Sequence, residues 1–315
     1  MTRRRFVQLF IVVICVALLS ACARHRPAAN LRLGYLPIAE CTPLFVAQTE
    51  GIFQKHGLTV ELTEFDAGPT VIAAALGGSL DGGLSGVTPL FFAMEKAKPL
   101  VLTNDGGHVV KADHPYVGLV VSASSRIRTV AELKGKTVAV NGLKTIEDAL
   151  LRVALRKAQL EDGVEVVTLP HPNMVPALSR GTIDASMAIE PYIASGLAAG
   201  SIRVLMGSEE IIPSFQVSAI FFTKVYADAH PSEIQKFTVA YNEAIEWIEA
   251  NPQGAKEVVS QWTKTPIETA SGMTLPGWSK TLNVSAVRAA QQAMLENHIL
   301  DHSVDLTPFL PRPNQ

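Results

Sequence analysis

An α/β protein of two similar lobes closing on a cleft is the fold the sequence predicts, and three observations predict it. Short apolar runs of strand character alternate with stretches of helical spacing, which argues for parallel sheets flanked by helices. A seven-residue pattern of Gly, hydroxyl, aliphatic, Asp, small, small and apolar occurs twice, as "GSLDGGL" (Gly78–Leu84) and "GTIDASM" (Gly181–Met187). The strands upstream keep the same register: one ends at Tyr35, 46 residues before Asp81, and its counterpart ends at Val140, 44 residues before Asp184.

Taken from the N-terminus, the chain begins with Arg3, Arg4 and Arg5, then an apolar run from Phe6 to Leu19 broken by Gln8. A membrane-spanning helix needs about 20 apolar residues, so this shorter run between a basic head and small residues reads as a signal peptide over residues 1–21. It ends in "LLSAC" (Leu18–Cys22), which matches the lipobox pattern and makes Cys22 the expected lipidation site. Residues 22–30 then form a polar tether. Strands are expected at "RLGYL", "LTVELTEF" (Leu58–Phe65), "PLVLTN", "YVGLVVSA", "KTVAVNG", "VEVVTLP", "IRVLMGS" and "VSAIFFTK". Two helical stripes stand out: Leu151, Ala154, Leu155 and Ala158, and near the C-terminus Ile234, Phe237, Tyr241, Ile245 and Ile248. Each repeated motif ends a helix at its Gly and turns into a strand. The chain is expected to cross between lobes near Val117–Ser122 and Val217–Thr223, giving one lobe of residues 31–118 plus 222–315 and another of 119–221. Two crossings make a hinge.

The 315 residues are 48% hydrophobic and 18% charged, enough for two ordinary domains with substantial cores. Loss of residues 1–21, with three arginines and no acid, takes the formal charge from −2 to −5, which argues against a nucleic-acid partner. Beyond Cys22 only Cys41 remains, so acylation of Cys22 leaves no pair for an intramolecular disulfide.

In open α/β sheets a ligand sits outside the carboxyl ends of the strands, where helix N-termini present free N–H groups. That places Ile38–Thr42, Asp66–Thr70, Ser85–Thr88, Asn104 and Asp105 at the cleft from the first lobe, with Asn141–Thr145, His171–Asn173 and Glu190–Tyr192 from the second. "PSFQ" (Pro213–Gln216) closes one edge. Structural readings stand beside several of these. Glu40, Ser85 and Thr88 suit helix caps, Cys41 suits a packed thiol, and Glu190 before Pro191 suits an extended residue ahead of a helix. Asp66 carries the same ambiguity. Asp81 and Asp184 read as turn residues and are left out of the site. His298 and His302 have helical metal-pair spacing without HExxH, and "GGSLDGG" has neither a Walker Lys nor GxGxxG. No metal, cofactor or catalytic residue is assigned.

Four segments in order, "LRLGYLPIAECTPLFVAQTEGIFQKHGLTVEL", "AALGGSLDGGLSGVTPLFFA", "IRTVAELKGKTVAV" and "ALSRGTIDASMAIEPY", resemble the solute-binding proteins of ABC importers for nitrate, taurine, alkanesulfonates and thiamine-pyrimidine precursors. The resemblance covers nearly the whole mature chain. It implies the two-lobed periplasmic-binding-protein fold of type II, a small-molecule ligand, and an ABC permease and ATPase as partners. It further implies ligand contacts at Glu40, Cys41, Thr42, Asp66, Gly68, Ser85, Thr88, Asn141, Thr145, Glu190 and Tyr192. "FDAGPT" departs from the Trp-containing segment of the nitrate branch. The cleft residues include Glu40, Asp66, Asp105 and Glu190 but no Arg and one Lys, Lys144. That balance favours an amine or nitrogen heterocycle over a strong anion, with Tyr35, Phe65, Tyr192 or Phe215 available to stack on a ring. A pyrimidine-synthase-like enzyme on the same fold and a ligand receptor for a membrane sensor are the alternatives.

Overall fold

The computed structural model describes residues 30–213 and 215–310. The expected signal peptide, Cys22 and all of the tether but Asn30 lie outside these residues. The first half of the chain supplies β1 (Leu31–Tyr35), α1 (Thr42–Thr49), α2 (Ile52–Lys55), β2 (Val60–Glu64), α3 (Gly68–Leu76), β3 (Gly82–Gly86), α4 (Val87–Glu95) and β4 (Leu100–His108). Next come β5 (Val117–Ser122), β6 (Thr137–Val140), α5 (Ile146–Lys157), β7 (Glu165–Thr168), α6 (His171–Arg180), β8 (Ala185–Ile189), α7 (Tyr192–Ala198), β9 (Ile202–Gly207) and α8 (Ser208–Ile211). The chain finishes with β10 (Gln216–Thr223), α9 (Lys224–Ala229), α10 (Pro231–Ala250), α11 (Pro252–Thr263), α12 (Ile267–Ala270) and α13 (Val284–Glu296). Among the described residues no helix is long and apolar enough to cross a membrane.

These strands form two five-stranded sheets, ordered β2-β1-β3-β10-β4 and β7-β6-β8-β5-β9. The orders are one arrangement used twice, with β1 and β6, β3 and β8, and β10 and β5 in equivalent places. The repeated motif has the same task in each. Asp81 accepts the N–H of Arg32 at the start of β1 (2.8 Å), and Asp184 accepts the N–H of Thr137 at the start of β6 (3.0 Å). Both aspartates therefore clip a neighbouring strand, not only their own turn.

Fully parallel sheets were the expectation, and the structure differs. β1 pairs in parallel with β2 and β3, and β6 with β7 and β8, but β10 runs antiparallel between β3 and β4, and β5 runs antiparallel between β8 and β9. Both inserted strands follow a passage from the other sheet. They start at the crevice end and run away from it. The passages lie between His108 and Val117 and between Gly207 and Gln216. A division at 118/119 and 221/222 would cut β5 and β10, each of which belongs whole to one sheet.

Local chemistry explains the helices that flank the crevice. α5 starts at Thr145, whose hydroxyl accepts the N–H of Asp148; it carries Glu147 and Asp148 in its first turn and Arg156 and Lys157 in its last, matching the helix dipole at both ends. α6 stops at Gly181 (φ 67°), in the left-handed conformation that glycine adopts without strain. In α10 the residues Phe237, Tyr241, Ile245 and Ile248 are buried as a stripe, and the helix packs on α1. At Gly83 a Cβ would lie 2.5 Å from the carbonyl oxygen of Gly34, so β1 and α3 approach β3 too closely for any side chain there.

Candidate functional site

The carboxyl ends of β1, β3 and β6 deliver their loops to one place between the sheets, as expected for this topology. Glu40 sits on a 3-10 turn after β1, Gly68 opens α3, Gly86 leads into α4, and Asn141 and Thr145 come from the loop after β6. With Glu147 in the first turn of α5, they line a cavity of about 20 Å³. That is room for about one water molecule, so the lobes stand closed and a larger solute enters only when they part. A Cβ at Gly86 would come within 3.4 Å of the Ile146 Cβ across the crevice. Gly107, held at φ 147°, passes beneath Glu40, where a Cβ would lie 3.2 Å from Glu40 Cγ.

Two buried acids dominate the electrostatics. Glu40 is 2% exposed and is pushed up to about 8, first by burial and then by the charge of Glu147. Ser218 pulls the other way, although its hydroxyl is not aligned as a hydrogen bond. Glu147, 3% exposed, is pushed up to about 7, again mainly by burial. His171 Nε2 lies 3.4 Å from Glu147 Oε1, yet burial pushes the imidazole down to about 4, so it faces Glu147 as a neutral ring. Glu40 Oε2, Asn141 Oδ1, Tyr116 Oη and Ser218 Oγ are buried without hydrogen-bond partners. Buried polar groups in native proteins are nearly always paired, and two of these atoms, Glu40 Oε2 and Asn141 Oδ1, belong to residues that line the cavity, where a ligand could complete them. Among the described residues no group of three or more His, Cys, Asp or Glu side chains is arranged to hold a metal ion.

Of the residues singled out from the sequence, Glu40, Gly68, Asn141 and Thr145 line this cavity. Ser85 stands directly behind it, its Oγ against the space a Cβ at Gly68 would need. The others are placed elsewhere. Cys41 is fully buried in the core and its thiol is pushed up by burial, while Thr42 donates to the Ala39 carbonyl. Thr88 turns its hydroxyl toward Met294 of α13, and Asp66 is exposed to solvent. Asp105 accepts from Gly107, Gln216, His108 and Ser279, which uses both oxygens. Glu190 is buried with Oε2 accepting the N–H of Ala194 and Oε1 that of Thr274. Tyr192 stacks on His171 and donates to the Pro37 carbonyl across the lobes. Tyr35 packs against Phe45 and Trp262, and Phe215 is buried, so neither ring faces the cavity. A larger apolar groove of about 220 Å³ between β4, α9 and α10 lies at the opposite end of the sheet and contains no charged residue.

Glu147, Tyr116 and Ser218 were missed from sequence. Glu147 reads as a dipole partner in a first helical turn; Tyr116 and Ser218 are polar residues at the beginnings of the apolar runs of β5 and β10, just after the chain passes between sheets, and that placement was the available signal.

The acids give a pH dependence. Between the usual carboxylate range and about 7–8 the folded state holds protons that the unfolded chain has lost, so stability present at lower pH falls as pH rises through that window. His171 acts in the opposite sense, its contribution being lost as pH falls from about 6.5 toward 4. Urea melts of the ligand-free protein should therefore lose about 1–3 kcal/mol between about pH 6.5 and 8.5, and Glu40→Gln should flatten the slope.

The sequence pattern of the NMT1-like family matches residues 24–263. The taurine-binding periplasmic protein of Escherichia coli is 28% identical over 257 residues, 80% of this chain and 74% of that one. The crystal structure of the periplasmic aliphatic sulphonate binding protein SsuA from Escherichia coli superposes with a TM-score of 0.73 at 24% identity, covering 90% of this chain and 92% of that one. The ligand binding component of an ABC-type import system from Staphylococcus aureus gives 0.75 at 16% identity, covering 89% and 96%. The fold is thus that of the periplasmic binding proteins.

Proposed function

The chain belongs to the NMT1-like family, and from that premise we propose that it is an extracytoplasmic solute-binding protein of an ABC importer. It captures a small molecule between its lobes and presents it to a membrane permease driven by an ATPase. The observation that carries this reading is the crevice itself: loops from both sheets enclose one small cavity in which buried polar atoms lack partners. Capture and release need no bond made or broken. Taurine and aliphatic sulfonates are what the relatives' names give for those proteins, and they are among the solutes to be tried. We assign ligand contact to Glu40, Gly68, Asn141, Thr145 and Glu147, the first lobe to the sheet containing β1 and the second to the sheet containing β6. Residues 1–21 act as a leader, and Cys22 carries the lipid that holds the protein at the membrane.

The test joins both claims. The full chain expressed in a bacterium should sediment with membranes, and Cys22→Ser should release it. Purified residues 23–315 should melt higher, saturably, with one class of small solute, since a ligand that binds only the folded state adds about 2.7 kcal/mol at a hundredfold excess over Kd. A melt unmoved by every small solute tried would sink the importer reading.

A further inference from the structure

We propose that the solute held in this crevice is a nitrogen base bound as its protonated cation, its N–H groups facing Glu40 and Glu147; the inference rests on the solute-binding reading above. Three independent features support it. The cavity lining holds two carboxyl groups and neither Lys nor Arg. Lys144, the one cation on the neighbouring loop, lies exposed over the ring of Phe92, 4.7 Å from its centroid, and Arg152 is engaged by Asp148.

Three backbone donors at the start of α5 are also engaged within the chain. Thr145 accepts the N–H of Asp148, the Asp148 carboxylate accepts that of Lys144 (2.7 Å), and the N–H of Glu147 faces its own carboxyl group. A helix N-terminus supplied with its own carboxylates offers little to a second anion. Finally, Asn141 Oδ1 and, once Glu40 is ionised, Glu40 Oε2 are acceptors without partners, and they suit donors on the ligand.

The titratable groups around Glu40 are Glu147, Tyr116, Cys41 and Tyr241. Around Glu147 they are Glu40, Tyr116, Asp148 and His171. None supplies a positive charge near neutral pH. A cation draws the two carboxyls into their ionised forms and so releases protons; an oxyanion about 4 Å from an ionised carboxylate would lose about a thousandfold in affinity at an effective dielectric of about 20. Held instead by protonated carboxyls, an oxyanion would bind more weakly as pH rose. The sign of the pH dependence therefore separates the two chemistries.

The experiment is a thermal-shift and calorimetric titration of residues 23–315 with benzamidine, aminopyridine and butylamine, against nitrate, ethanesulfonate and butanesulfonate, each at about pH 6 and about pH 8.5. The expected result is a shift with at least one base, affinity rising up to about tenfold per pH unit for each proton released below about pH 7, and a loss of about tenfold or more in Glu40→Gln and in Glu147→Gln. Either amide variant keeps the side-chain shape, so a folded protein that has lost the base is informative. Shifts with the oxyanions and none with the bases would overturn the ligand class while leaving solute binding intact. Absence of any shift across all six would overturn both.

Discussion

Glu190→Ala is expected to lower folding stability by about 3–5 kcal/mol, because one buried side chain there satisfies two backbone donors from different parts of the chain. Its Oε2 accepts the N–H of Ala194 at the start of α7 (2.8 Å), and its Oε1 accepts that of Thr274, in the segment after α12 that packs on the first sheet (3.1 Å). His114 Nδ1 lies 3.3 Å from the same oxygen. Burial pushes the carboxyl up, and the N–H groups of Ala194 and Thr274 and the nearby His114 offset only part of that rise. Truncation leaves two N–H groups without partners, each costing about 1–3 kcal/mol, and adds a cavity. Glu190→Gln keeps one acceptor and should lose about half as much. Urea denaturation of the three proteins checks this, and a loss under about 1 kcal/mol for the alanine variant would show that the bridge carries little.

Gly86→Leu is expected to weaken solute binding by about a hundredfold while leaving stability nearly unchanged. Gly86 has φ −57° and ψ 149°, open to any residue, so the backbone tolerates the substitution. The lobes do not. Ile146 already stands 3.4 Å from where the Cβ would be, and a leucine wedges α5 away from the first sheet. If the closed state falls to about 1% of the population, apparent affinity drops about a hundredfold from that shift alone. Calorimetry with whichever solute binds the wild type, paired with a melt of the free protein, reads both quantities. Unchanged affinity would mean that binding does not need this closure.

The fold was legible because strands buried on both faces must be apolar along their length, and because one arrangement occurs twice, so "GSLDGGL" announced "GTIDASM". Strand direction was not. An antiparallel β5 or β10 has the same apolar pattern as a parallel strand, and only the path by which the chain arrives decides which way it runs. At the crevice, Glu40, Gly68, Asn141 and Thr145 were legible from the rule that ligands sit beyond strand ends. Thr88 was not, since two residues after Gly86 the helix already turns its hydroxyl toward α13. Asp66 follows the edge strand β2, where the loop opens to solvent. Glu147 escaped because a first-turn acid has a sufficient local reason to be there; that it also faces a cavity depends on the other lobe.

The place of β10 sets the order in which the molecule can be completed. Among the described residues it is the only strand hydrogen-bonded to β4, and it joins that strand to β3, yet it is made after all of β5 to β9. As the chain emerges N-terminus first, whether from a ribosome or through a membrane, the second sheet has every strand by Gly207 while the first still lacks its link. The lobe encoded in the middle is therefore the first able to finish, and the N-terminal strands wait, with β3 and β4 edges open, for a partner more than a hundred residues behind them. A chaperone on the far side of the membrane would find its substrate in those waiting edges.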